Sequence, residues 1–224
     1  MKIKTSGIII PVIDGKVFDS SFGSTKKDMR VEFHRTGERR YGVVVLRDGL
    51  PPLQMNPAPG FDALMPHDLL HFVVEKELGL RRGIFGQLAE GGMAGTFHPG
   101  EESGAKSGDR ANSRRRRAVK ERGKKLLEAG HEDCARSERA TYVCLADWLS
   151  NSAKPDARRR AAQIKDGAQS VLKSMSASER KAFDDKFLAA VRAQLDKLSA
   201  EWSALEIGQF LTVEWSPQRG LAQK

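Results

Sequence analysis

The stretch that decides the fold reads Met29-Arg30-Val31-Glu32-Phe33-His34-Arg35, then Thr36-Gly37-Glu38-Arg39-Arg40, then Tyr41-Gly42-Val43-Val44-Val45-Leu46-Arg47. In the first run Val31 and Phe33 alternate with Arg30, Glu32 and His34, the period of a half-buried strand, and the third run is rich in β-branched valine. The polar, glycine-containing connection between them has hairpin length. The pattern predicts an antiparallel hairpin. Another alternating run closes the chain, with Leu211, Val213 and Trp215 on one side and Phe210, Thr212 and Glu214 on the other. A lone strand is not stable, so this one is expected to return and pair with the N-terminal sheet. A further period-two run, Lys2 to Ile10, ends in Ile8-Ile9-Ile10 before Pro11.

Outward from the hairpin the pattern turns helical. Pro66 suits a first helical turn, Asp68 complements the positive end of the dipole, and Gly79 is a stop, which predicts a helix from about Pro66 to Leu78. Glycines crowd residues 83–108, and Pro99 to Asn112 is nearly devoid of apolar side chains, so 99–112 reads as a flexible polar linker. Helices are expected from Arg114 to Ala129 and from about Glu138 to Leu149. Two longer seams follow: Ala157, Ala161, Ile164, Ala168, Val171 and Met175, then Leu188, Val191, Leu195, Leu198, Trp202 and Leu205. Both step by threes and fours. Ser176-Ala177-Ser178-Glu179 matches a capping box between them. The two seams are expected to face each other as an antiparallel helical hairpin. The fold class is therefore α+β. An α+β part spans 1–98, the linker 99–112 and a helical subdomain 113–205, and the strand in 206–216 returns to a small, mostly antiparallel sheet.

Composition narrows the class of protein. The 224 residues are 39% hydrophobic and 30% charged, with mean hydropathy −0.48. No apolar run approaches the ~20 residues of a membrane-spanning helix. The five-residue apolar stretch Ile8 to Val12 is too short for a secretory signal. Two cysteines make no disulfide framework, and a cytoplasmic setting without membrane contact is expected.

The net charge is +9, and more than half of it lies in residues 101–130, which hold ten basic and five acidic residues. At the centre stand Arg114, Arg115, Arg116 and Arg117, followed by Lys120, Arg122, Lys124 and Lys125. Such a block attracts polyanions by counterion release without reading sequence. Nucleic acid bound through residues 110–125 is one expected partner, and a solvated, solubilising face is the alternative.

One constellation could carry chemistry. His67 and His71 lie four apart on the expected helix, with Asp68 and Glu75 on the same polar face, opposite an apolar stripe. Two histidines at this spacing can share a zinc ion. His67-Asp68-Leu69-Leu70-His71 resembles the His-Glu-x-x-His motif of zincin metalloproteases over five residues. It departs at the second position, where Asp68 is one methylene shorter than the glutamate that serves zincins as general base. The resemblance implies His67 and His71 as ligands, Asp68 as the catalytic base, and a third ligand. Glu90, 19 residues after His71, is the first candidate for that ligand, with His98 and His34 as others. Glu75 is a weaker one, since its Cα lies about 12 Å along the helix from that of His67. Helix-end architecture is the non-catalytic reading of the same residues.

Other motifs fall away. Cys134 and Cys144, ten apart, fit neither a zinc ribbon nor a Cys-x-x-Cys redox pair. The run Gly91 to Gly95 lacks the lysine of a phosphate loop, and no Gly-x-Ser-x-Gly elbow occurs. The leading expectation is a non-enzymatic interaction protein that contacts a protein partner, or itself, through the helical hairpin and carries a basic segment. The alternatives are a metal-dependent hydrolase centred on His67 and His71, or non-specific nucleic-acid binding.

Overall fold

The structure, a computed structural model, describes residues 29–100 and 110–216. The side chains of residues 110–112, 115 and 116 are outside that description, as is the expected run Lys2 to Ile10. Strands β1 (Met29–Gly37) and β2 (Arg40–Arg47) form the hairpin the alternation predicts. Short strands β3 (Leu53–Met55) and β4 (His98–Pro99) extend it on one side. On the other, β5 (Phe210–Trp215) returns to β1, so the sheet order is β4-β3-β2-β1-β5, antiparallel throughout. Register keeps the apolar residues on one face. Val31 opposes Val45 and Val213, Phe33 opposes Val43 and Leu211, and Met29 opposes Trp215. This is an α+β fold.

That sheet face is covered by α1 (His67–Leu78), whose end is set by Gly79 in the left-handed region at φ 65°. Phe72 on α1 meets Trp215 of β5 and Phe85 edge-on, with ring centroids 5.4 and 5.1 Å apart. Phe85 belongs to α2 (Ile84–Ala89), a short helix inside the glycine-rich stretch for which the pattern predicts no element. Helices α3 (Arg110–Ala129), α4 (His131–Asn151) and α5 (Pro155–Ser174) follow, with Pro155 in the first turn of α5. The expected linker therefore ends earlier than residue 112, because helical backbone begins at Arg110, and residues 101–109 lie outside the description. Then come α6 (Ala177–Lys181) and α7 (Asp185–Ala204). The capping box is present: Glu179 N donates to Ser176 Oγ (3.2 Å), and Ser176 N donates to the Glu179 carboxylate (2.9 Å).

The helical hairpin is not the one the seams suggest. Helix α5 packs along α4, while α7 packs against α1 and α4. The reason is connection length. Three residues join α4 to α5, which forces them side by side, whereas the path from α5 to α7 runs through all of α6. Helix α4 thus lies between both seams. Ala157, Ala161 and Ala168 are buried from α5, and Val191, Leu195 and Trp202 from α7. Trp148 Nε1 on α4 donates to Asp196 on α7 at 2.8 Å, and Arg192 pairs with Asp147 at 2.7 Å. One continuous apolar cluster runs from Val31 in the sheet to Leu195 in α7. Among the described residues no helix is long and apolar enough to cross a membrane.

Leu195 is fully buried in this cluster. Leu195→Ala should lower unfolding free energy by about 2–5 kcal/mol through lost burial and a residual cavity. Urea denaturation followed by circular dichroism checks it, and an unchanged midpoint would place the seam outside the core.

Candidate functional site

Helix α1 is apolar on the face toward the sheet and carries His67, His71 and Glu75 on the other. The sequence pattern places that second face in solvent. The structure covers it with α4, leaving His71 at 3% and Glu75 at 0% exposure. Burying such groups is costly unless each finds partners, and the neighbouring helices supply them. Backbone N–H groups of Ile84 and Phe85, the first turn of α2, donate to the two Glu75 carboxylate oxygens at 2.9 Å each. Ser137 Oγ on α4 donates to Glu75 Oε1 at 2.8 Å. Gly83 allows this approach, for a Cβ there would stand 2.5 Å from the Glu75 carboxyl carbon. Burial still outweighs these bonds and pushes the Glu75 carboxyl up to about 7.

His71 continues the chain. Its Nδ1 lies 3.0 Å from Ser137 Oγ and 3.2 Å from Thr141 Oγ1, and its Nε2 lies 3.6 Å from the exposed carboxylate of Glu138. Burial, reinforced by the neighbouring His67, lowers its pKa to about 3, so the ring is neutral. His67 is exposed and meets His71 edge-on, centroids 4.6 Å apart. Asp68 turns the other way: Tyr41 on β2 donates its hydroxyl to Asp68 Oδ2 at 2.5 Å. Burial raises the pKa values of both Asp68 and Tyr41.

The structure therefore brings His67 and His71 together and engages Asp68 with a tyrosine. Glu90 sits at the C-cap of α2, 3.5 Å from Arg81. His34 stacks on Phe210 and pairs with Glu32 at 3.2 Å, and His98 is exposed on β4. Among the described residues, no three His, Cys, Asp or Glu side chains form a group that could hold a metal ion. The residues that complete the cluster are Ser137, just before the expected helix start near Glu138, and Glu138 and Thr141 inside that helix, none of which the motif reading included. Their signal is a stripe of Ser137, Thr141, Cys144 and Trp148 stepping by four, three and four, all buried on α4.

The basic block forms the N-terminal three-quarters of α3. Val119 is buried, and Gly123 sits so close to the loop after α2 that a Cβ would stand 2.6 Å from Met93 O. Leu126 closes on Gly92 in the same way. These three residues, spaced four and three, form the single stripe that seats the helix. Arg114, Arg117, Lys120, Arg122, Lys124 and Lys125 are all exposed. Among the described residues no carboxylate pairs with any of them. The side chains of Arg115 and Arg116 lie outside the description.

The buried pair Glu75 and His71 makes stability depend on pH in opposite senses. Relative to ordinary values of 4.5 and 6.5, the fold raises Glu75 to about 7 and lowers His71 to about 3. The Glu75 contribution is complete below pH 4.5 and is lost as pH rises through 7. The His71 contribution is complete above 6.5 and is lost as pH falls through 3. Between 4.5 and 6.5 the two slopes oppose. Glu75→Gln removes one of them, so the variant's stability relative to wild type should climb across this window by about 1.4 kcal/mol per pH unit. Urea denaturation at three pH values measures it, and parallel profiles would refute it.

No family model, no curated protein and no solved structure matches this chain.

Proposed function

We propose that the protein is a non-enzymatic binding protein that engages the phosphate backbone of nucleic acid through α3, without reading sequence, in the cytoplasm. One observation carries this reading. At about 100° per residue, Arg114, Arg117, Lys124 and Lys125 fall within an arc of about 100° opposite the stripe of Val119, Gly123 and Leu126. Glu121 is the one carboxylate among residues 110–125, against nine basic residues. From Arg114 to Lys125 the face runs roughly 16 Å along the helix, long enough to meet several phosphates of a duplex, which carries one charge per ~1.7 Å of axis. The absence of aromatic residues from this block favours backbone contact over base stacking.

The protein-contact reading loses ground by comparison, because the seam residues it rested on are largely packed inside the fold. The hydrolase reading gains no ligand set among the described residues. Two free cysteines, Cys134 and Cys144, suit a reducing compartment.

Fluorescence anisotropy with a random-sequence DNA duplex tests the proposal. Binding should weaken steeply with salt, and equally for unrelated sequences. Replacing Arg114, Arg117, Lys124 and Lys125 by alanine should flatten the log–log salt slope by about 3.6, if each contacts one phosphate. No binding at about 50 mM salt, or an unchanged slope in the variant, would defeat it.

A further inference from the structure

We propose that Ser137 is a proton relay between the buried Glu75 carboxyl and His71, so that the Glu75 proton sets which ring nitrogen of His71 faces the surface between α1 and α4. The geometry is a continuous chain. Glu75 Oε1 stands 2.8 Å from Ser137 Oγ, and Ser137 Oγ stands 3.0 Å from His71 Nδ1. On the far side of the ring, Nε2 lies 3.6 Å from Glu138, whose side chain is 66% exposed. Glu75 itself has no exposure, so its proton needs a path, and this chain leads outward.

A serine hydroxyl has one hydrogen, and in the proposed relay that hydrogen carries the coupling. In the proposed relay, with Glu75 ionised, Ser137 donates to Glu75 and accepts from Nδ1–H of His71, a hydrogen that Thr141 Oγ1 at 3.2 Å can share, leaving a lone pair on Nε2. With Glu75 protonated, its O–H donates to Ser137 Oγ, Ser137 donates to the Nδ1 lone pair, and the ring hydrogen sits on Nε2, pointing toward Glu138. Passing from the second state to the first, the Glu75 O–H bond breaks as a new Ser137 O–H bond forms. The old Ser137 O–H bond breaks as Nδ1–H forms, and the Nε2 proton leaves to water. One proton is released in all. The surface consequence is that Glu138 gains a donor in one state and faces a lone pair in the other.

The groups around the relay are consistent with it. Helix α2 presents the backbone N–H groups of Ile84, Phe85 and Gly86 to the carboxyl. Helix α4 presents Ser137, Thr141, Glu138 and, nearby, Cys134, whose thiol is pushed up by burial and by the charges of Glu75, Asp133 and Glu138. Helix α7 meets α1 on another side, where Gln194 donates to Glu77. His67 faces the ring of His71 from the solvent side. The burial that holds Glu75 near 7 and keeps His71 neutral places the exchange within reach of ordinary solution conditions.

The ring nitrogens of His71 report the state directly. In the ¹⁵N-labelled full chain, long-range ¹H–¹⁵N spectra across the neutral range should show His71 passing from mainly Nε2–H to mainly Nδ1–H as pH rises. The ¹³C shift of the Glu75 carboxyl should change with the same midpoint. Ser137→Ala should uncouple the two, leaving the tautomer fixed while Glu75 still titrates, whereas Thr141→Val should keep the coupling. A wild-type ring that holds one tautomer throughout, or an exchange that survives Ser137→Ala with its midpoint unchanged, would overturn the proposal. If Ser137→Ala does not fold, the wild-type titration alone decides.

Discussion

The carboxylate of Glu75 is the joint on which three helices depend. It projects from α1, accepts from the first turn of α2 and accepts from Ser137 on α4, all without solvent contact. A helix of six residues has little stability of its own, since nucleation is unfavourable and few internal bonds repay it. Helix α2 is instead held at both ends. The Glu75 carboxylate occupies its positive end, and the Arg47 guanidinium donates to Leu88 O near its negative end at 3.1 Å. Both charges complement the helix dipole. Both are also buried, and Arg47 is lowered to about 10 by that burial. Removing Glu75 would leave the Ile84 and Phe85 N–H groups without this acceptor in the interior, which is more costly than losing one exposed bond.

This joint also fixes where α3 lies. Arg47 donates to Gly92 O at 2.6 Å and to Pro51 O at 3.0 Å, which pins the loop after α2 to the end of β2. The same loop supplies the Met93 backbone against which Gly123 packs. A line of contacts therefore leads from the sheet through Arg47 and the glycine loop to the basic helix. The glycine run after α2 is a seat for α3, and its small residues serve close approach of two backbones.

How much of this was legible depended on whether a partner element was close in sequence. The hairpin, the returning strand, the stop at Gly79 and the capping box at Ser176 are local patterns, and each is where the residues place it. The seams of α5 and α7 were legible as buried stripes, but their partner was not, because periodicity says that a face is buried and not against what. The polar face of α1 failed for the same reason. His67, His71, Asp68 and Glu75 look like a solvent-facing cluster until Ser137 and Thr141, more than sixty residues away, are brought onto it. A helical wheel of α1 alone does not show them, and the stripe on α4 marks Ser137 and Thr141 as buried without saying against what.

The two polar features of the chain end on opposite sides of the burial boundary, and this shapes what each can do. The Glu75 and His71 cluster finds its hydrogen-bond partners within the fold, which suits architecture and the proposed proton relay. The basic side chains described on α3 pair with no carboxylate among the described residues, and the charge order of the helix also runs against its dipole. Its first turn holds no acidic residue and its last turn no basic one, whereas cations are favoured at the C-terminal end and anions at the N-terminal end. Lys120 and Lys124, four apart, repel each other along the helix. A polyanion lying along Arg114 to Lys125 would relieve both penalties at once, so on the proposed reading binding stabilises α3 as well as neutralising it. The stripe of Val119, Gly123 and Leu126 then has a specific task, which is to hold a helix with unfavourable charge order folded and oriented before the phosphates arrive.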